Sequence, residues 1–207
     1  MNDASLKVEG VSKIYGRTLL FENISFSMQP GEVVSITGWN GSGKSTLVRM
    51  IAGLITPSAG RIVLTIDGDI ISKTSRRKYL GLAAPAISLY EELTGLENLE
   101  FFCKVRRGHL DRSNHLELMA WAGLNGQQNK SCGDYSSGMK QRLKLVQALI
   151  HSPILLLLDE PGTNLDSEGL KLVARMVQRQ RETGMTIIAS NDKREVQYAD
   201  RIINLSE

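Results

Sequence analysis

Two cysteines in 207 residues, Cys103 and Cys132, are too few and too far apart for a disulfide framework or a close-spaced metal pair. Their scarcity excludes the small stapled secreted folds and fits a reducing compartment. Cys103 falls on an apolar helical face with Leu96, Leu99 and Phe102, where a small buried hydrophobe is expected. Aromatic residues make up only 5% of the chain, which leaves no platform for stacking successive bases of nucleic acid. The strongest apolar run, Ile154-Leu155-Leu156-Leu157-Leu158, is far shorter than the roughly 20 residues that span a bilayer. The first residues, Met1-Asn2-Asp3-Ala4-Ser5-Leu6, lack the basic-then-apolar pattern of a signal peptide. A net charge of +3 is too mild to imply nucleic acid, though it suits an anionic ligand or an anionic membrane face. What is present is an ordinary globular composition, 42% hydrophobic and 23% charged, long enough for one large domain or a core with a subdomain.

Against that plain background one octet stands out. Residues 38–45 read Gly38-Trp39-Asn40-Gly41-Ser42-Gly43-Lys44-Ser45 and fit G-x-x-x-x-G-K-[ST], the phosphate-cradling P-loop. A β-branched stretch over 33–37 precedes it. A helical stretch over 45–52, beginning Ser45-Thr46 and closed by Gly53, follows it. The glycines let several backbone N–H groups turn toward one phosphate chain, and a helix N-terminus adds about half a positive charge. Lys44 is expected to reach the β- and γ-phosphates, and the Ser45 hydroxyl to ligate Mg²⁺.

The rest of the chain alternates in character. Strands are expected over 5–11, 19–28, 33–37, 61–66 and 79–83, with Asp67-Gly68 closing the fourth. Helical spacing takes over across 97–105 and 113–122, with Gly123 as a stop. After a Gln-, Asn- and Gly-rich loop, Met139, Leu143, Val146 and Leu149 mark one helix face, leaving Lys140, Arg142 and Lys144 toward solvent. A continuous apolar strand over 154–158 reads as parallel sheet covered on both sides. A helix through Leu170, Val173, Ala174 and Val177 and strands over 186–190 and 201–205 complete the pattern. The buried strand ends in two carboxylates. Asp159 sits where a P-loop protein needs an acid for Mg²⁺, and the alternation of strand side chains aims Glu160 elsewhere, toward the attacking water. The expected fold is a P-loop α/β core with a mixed or parallel sheet, an N-terminal antiparallel β subdomain and an inserted α-helical subdomain. Residues 1–207 form one domain, with about 1–83 and 151–207 as nucleotide-binding core and about 84–150 as the helical part.

These residues resemble the nucleotide-binding subunit of an ATP-binding cassette (ABC) transporter, and further segments over nearly the whole length carry the likeness. Lys13-Ile14-Tyr15-Gly16 resembles the loop whose aromatic stacks on adenine, which makes Tyr15 that ring. Tyr135-Ser136-Ser137-Gly138-Met139-Lys140-Gln141-Arg142 resembles the family signature. Glu160-Pro161-Gly162-Thr163-Asn164-Leu165-Asp166 resembles the D-loop, Leu89-Tyr90-Glu91-Glu92-Leu93-Thr94 the stretch after the Q-loop, and Ala199-Asp200-Arg201-Ile202-Ile203 the closing strand. The resemblance implies that Ser136, Ser137, Gly138 and Met139 close in trans on the γ-phosphate held by a partner's P-loop. Two cassettes then sandwich two nucleotides, and Asp166 lies at their junction. Taken alone, Ser136 to Gly138 would be an ordinary helix N-cap. The implied activity is ATP hydrolysis with ATP and Mg²⁺. The implied partners are a second cassette, a homodimer first, and integral-membrane transporter subunits, with no nucleic acid. The implied location is cytoplasmic, peripheral on the inner face of the cell membrane. The partner-facing surface is expected around 84–92 and the following helix.

Three positions depart from the family pattern. The histidine that usually contacts the γ-phosphate is replaced by Asn191, whose amide can donate a hydrogen bond but cannot carry charge or relay a proton. The three histidines, His109, His115 and His151, are expected at the surface or at helix caps. The Q-loop glutamine is absent, with Pro85 or Ala86 in its place. In the signature, Ser137 and Met139 stand for glycine and glutamine. Slower hydrolysis is expected. Size and the 89–101 segment resemble the haem-exporter and cytochrome c maturation branch. One alternative is a weakly hydrolytic switch subunit of a heterodimeric ABC complex. Another is a soluble ATPase for DNA repair or translation, opposed by the single short cassette without a coiled-coil insertion.

Overall fold

In the computed structural model, which describes residues 3–107 and 111–206, two sheets and the helices between them divide the work. The first sheet is antiparallel, in the order β2-β1-β4-β5. Its strands are β1 (Ala4–Tyr15), β2 (Thr18–Met28), β4 (Ala59–Ile66) and β5 (Asp69–Ile71). The second is parallel, in the order β6-β7-β8-β3-β9. It comprises β3 (Val33–Thr37), β6 (Leu80–Ala83), β7 (Leu155–Asp159), β8 (Met185–Ala189) and β9 (Arg201–Asn204). Helix α1 (Lys44–Ile51) follows β3 directly. Then come α2 (Gly95–Arg107), α3 (Arg112–Trp121), α4 (Ser137–Leu149), α5 (Ser167–Arg181) and the single turn α6 (Lys193–Val196).

Apart from its edge strand β9, the parallel sheet is buried on both faces, and the period-2 alternation of its strands decides which residue meets which core. Leu155 and Leu157 of β7, with Val34, Ile36 and Ile187, join α1 and the antiparallel sheet in one cluster. Leu156 and Leu158, with Val33 and Ile188, join α2, α3, α4 and α5 in the other. All five residues of β7 are buried, and each leucine contributes about 2 kcal/mol of apolar burial. The expected α/β core, antiparallel subdomain and helical insertion are all present.

The chain differs from its sequence pattern at several places. Asp67 and Gly68 do not end β4 but turn it: both have positive φ, +51° and +85°, as a two-residue hairpin turn requires. The result is β5, with Ile66 opposite Asp69. His115 is no surface residue. It is fully buried in α3, neither ring nitrogen has a hydrogen-bond partner among the described residues, and burial pushes its pKa down. The neutral ring serves as filler, a role that the polar neighbours Ser113, Asn114 and Glu117 conceal in the sequence. His151 is fully buried too, its Nε2 2.8 Å from the Leu80 carbonyl and 3.0 Å from Arg106 Nη1. His109 lies outside the described residues. Arg142 is not turned to solvent: its guanidinium donates to the Ala122 carbonyl (3.0 Å) and to Asp166 (2.7 Å). Gly123, at φ +75°, stops α3 as expected, and Cys103 is buried as expected.

Candidate nucleotide site

The loop 38–43 leaves β3 and enters α1 through Gly43, the N-cap, at φ +102°. Only glycine suits that position, since a Cβ there would come within 2.8 Å of the Leu20 and Phe21 side chains as well as strain the backbone. Lys44 is buried, and its ammonium donates to the loop's own carbonyls at Gly38 (2.8 Å) and Trp39 (3.3 Å). Trp39, Asn40 and Gly41 are exposed, whereas the Ser42 hydroxyl lies buried inside the loop without a partner among the described residues. Thr46 is half-buried in the first turn of α1.

The parallel sheet brings the distant acids to this loop. The Ser45 hydroxyl donates to Asp159 Oδ1 at 3.0 Å, closing a sequence separation of 114 residues. Burial pushes the Asp159 carboxyl above its ordinary range, against the lowering effects of Ser45, Arg49 and Lys44. Glu160, half-buried, has φ +50°, a left-handed conformation that costs a non-glycine residue on the order of 1 kcal/mol. Its N–H donates to the Ala189 carbonyl at 2.9 Å. Burial raises the Glu160 carboxyl, Lys44 opposes, and Asp159 and Asp192 add to the rise. Asn191, just past β8, accepts the Gly38 N–H at 3.1 Å through Oδ1 and so stands against the start of the loop. Pro85, two residues past β6, is exposed and carries no polar side-chain atom.

The donor set fits a hard divalent cation such as Mg²⁺. A hydroxyl and one carboxylate meet beside the glycine-rich loop, whose Ser42 hydroxyl is buried without a partner among the described residues. Among the described residues no cluster of three His, Cys, Asp or Glu could hold a metal by itself. Tyr15, at the end of β1, is half exposed with Lys13 Nζ 4.7 Å above its ring.

Ser136 caps α4, its hydroxyl accepting from the Met139 N–H at 3.2 Å. Ser136 and Ser137 are exposed. With Gly123, Gly138, Met139, Arg142, Asn164 and Asp166 the Ser136 hydroxyl lines a surface hollow of about 440 Å³. No residue of the loop 38–46 lines this hollow. The site on α1 and the site on α4 are therefore separate within one chain. Asp166 caps α5 by accepting from Gly169 N at 2.8 Å, and that bond with the Arg142 contact holds its carboxyl below the usual range. Glu195 was not foreseen: it lies in the charged run Lys193-Arg194-Glu195, which reads as a solvated surface, yet it is buried.

A family model described as "ABC transporter" matches residues 21–163. The chain belongs to the ABC transporter family. Among its relatives, the linearmycin resistance ATP-binding protein LnrL of Bacillus subtilis (strain 168) is 36% identical, over 95% of this chain and 65% of the relative. The bacitracin transport ATP-binding protein BcrA of Bacillus licheniformis is 32% identical, over 90% of this chain and 61% of the relative. The chain thus spans less than two thirds of the length of these curated relatives. Among solved structures, the ATP-binding cassette MJ0796, a dimer in a post-hydrolysis state bound to ADP and Pi, superposes with a TM-score of 0.84 at 28% identity. That match covers 97% of this chain and 94% of that one. The ABC cassette resemblance and its fold therefore stand, while the names of these relatives refer to linearmycin resistance and bacitracin transport, not to haem.

Proposed function

We propose that this ABC cassette binds ATP with Mg²⁺ in the loop 38–46 and hydrolyses it in a closed dimer that drives membrane-spanning partners. The observation that carries this is the meeting of Ser45 and Asp159 at 3.0 Å beside Lys44, with Glu160 next along the chain. The loop N–H groups and the Lys44 ammonium bind the phosphates, the ammonium exchanging the Gly38 and Trp39 carbonyls for phosphate oxygens. Ser45 and Asp159 would hold the Mg²⁺, which when bound would neutralise charge on the phosphates. Glu160 takes the proton of the attacking water, and its raised pKa makes it a stronger base than an exposed carboxylate. Tyr15 stacks on the base.

The exposed cap of α4 supports an in-trans role for Ser136, Ser137, Gly138 and Met139. It pairs hydroxyls and N–H groups with the positive end of a helix, and it lies apart from the chain's own P-loop. Asp166, on the rim of the same hollow, belongs to that dimer junction. A two-fold arrangement makes both composite sites alike. An aromatic cluster supports docking of a membrane subunit near 84–92 and α2. Tyr90, Phe101 and Phe102 have ring centroids 4.9 to 5.9 Å apart, and the first two are exposed. Docking on that partner would place the cassette on the inner membrane face; no helix among the described residues is long and apolar enough to cross a membrane. The named relatives are described by linearmycin resistance and bacitracin transport, and haem export draws no support from them.

Glu160→Gln tests the mechanism. Turnover is expected to fall at least about a hundredfold. The variant is expected to elute as a dimer with Mg-ATP and a monomer without it. A monomer under both conditions, or full turnover, refutes the closed-dimer mechanism.

A further inference from the structure

Glu195 is 2% exposed, in the single helical turn that follows Asn191. Its Oε1 accepts the Gly162 N–H at 2.6 Å, while Oε2 is buried without a hydrogen-bond partner among the described residues. None of the groups acting on it is a cation: burial raises its pKa, the Ser190 hydroxyl and the Gly162 N–H lower it, and Asp192 and Glu160 raise it further. A buried carboxylate without a cationic partner is costly, and an apolar side chain would fill the volume at less expense. Its position explains its presence. The turn 160–162 hangs from the segment 189–195 at two points, by Glu160 N–H to the Ala189 carbonyl and by Gly162 N–H to Glu195. The first bond anchors the start of the turn and the second its end, so together they set where the strained Glu160 points. The far end of the bridge is itself fixed, because the Ser190 hydroxyl accepts from Asp192 N at 3.0 Å and the Asp192 carboxylate caps α6 by accepting from Arg194 N at 2.9 Å. Gly162 has to be glycine for the approach: a Cβ there would stand 2.2 Å from Glu195 Oε1.

We propose that Glu195 is a positioning residue for hydrolysis, locking the Glu160 turn to the Asn191 segment so that both address the same phosphate in register. This rests on the hydrolytic reading above. With Pro85 or Ala86 where the resemblance expects a glutamine and Asn191 where it expects a histidine, alignment of the attacking water depends on Glu160 more heavily, and a loose turn is correspondingly costly.

The test is steady-state hydrolysis with ATP binding measured separately by a fluorescent ATP analogue. Glu195→Ala is expected to lower kcat on the order of tenfold to a hundredfold, the cost of a misaligned reacting group, with the ATP Kd unchanged. Glu195→Gln, whose Oε1 can still accept the Gly162 N–H, is expected to keep most of the rate. Gly162→Ala pushes the carboxylate aside without removing it and is expected to show the same kcat loss, and the double variant is expected to be no slower than either single one. Wild-type kcat in Glu195→Ala, a Glu195→Gln as slow as the alanine variant, or multiplied losses in the double variant overturns the proposal. If Glu195→Ala does not fold, a Gly162→Ala with wild-type kcat overturns it. Glu160→Gln separates the two levels. A dead Glu160→Gln beside a fully active Glu195→Ala sinks only the role of Glu195. A fully active Glu160→Gln sinks the hydrolytic mechanism and this inference with it.

Discussion

Replacing Asn191 by histidine is expected to speed hydrolysis, and the structure bounds by how much. Asn191 Oδ1 accepts the Gly38 N–H at 3.1 Å in a part-exposed position. That bond is neutral and wet, worth about 0.5 to 1 kcal/mol to stability, so its loss leaves the fold intact. The difference lies in the transition state, where charge spreads over the transferring phosphoryl oxygens. An amide donates one neutral hydrogen bond there. An imidazolium donates a charge-assisted one, roughly twice as strong, adding about 1.5 kcal/mol and hence roughly a tenfold gain in kcat. The imidazole titrates near pH 6.5 when unperturbed, so the gain is present at about pH 6 and fades as pH rises past about 7.5. Steady-state kcat of Asn191→His and wild type, measured between pH 6 and 8.5 at saturating Mg-ATP, reads the effect directly. Equal kcat across that range, with unchanged ATP affinity, refutes the assignment of Asn191 to the γ-phosphate.

Lys44→Ala removes the buried ammonium, and equilibrium binding of a fluorescent ATP analogue is expected to weaken more than tenfold, since a charge-assisted contact of about 1.5 to 3 kcal/mol is lost; unchanged affinity would take phosphate binding away from this loop. Two dead variants, Lys44→Ala and Ser136→Glu, are expected to regain partial turnover when mixed, because the mixed dimer holds one site with an intact loop facing an intact α4 cap. A mixture as dead as its parts places the α4 cap outside the site. Burial raises Asp159 above its unfolded value, so the folded protein retains that proton to higher pH than the unfolded chain does. Stability from this group is therefore lost as pH rises from the ordinary carboxylate range through the raised folded value. Asp159→Asn, which still accepts from Ser45, is expected to raise the melting temperature at pH 7 without nucleotide and to leave it nearly unchanged at pH 4. A lower melting temperature at pH 7 contradicts the burial argument.

The chemistry of the site is local in the chain, and that is why composition and spacing reveal it. The glycines of 38–43, the Lys44-Ser45 pair and the apolar run ending in Asp159 each need only neighbours along the sequence to specify strand, turn and helix start. The Ser136 cap of α4 and the Asp166 cap of α5 are likewise set within three residues. What local pattern cannot specify is which polar side chain the fold takes out of solvent. Glu195, Arg142 and His115 stand beside polar or charged residues in sequence, and His151 sits before Ser152-Pro153 at a helix end, so a surface or capping place is the natural expectation for each. Tertiary packing overrides it because the partners come from far away: Gly162 for Glu195, Ala122 and Asp166 for Arg142, and Leu80 for His151, while the His115 ring is buried with no hydrogen-bond partner among the described residues. The 3.0 Å contact between Ser45 and Asp159 belongs to the same class. Sequence names both residues, but only the adjacency of β3, β8 and β7 in the parallel sheet brings hydroxyl and carboxylate to one point.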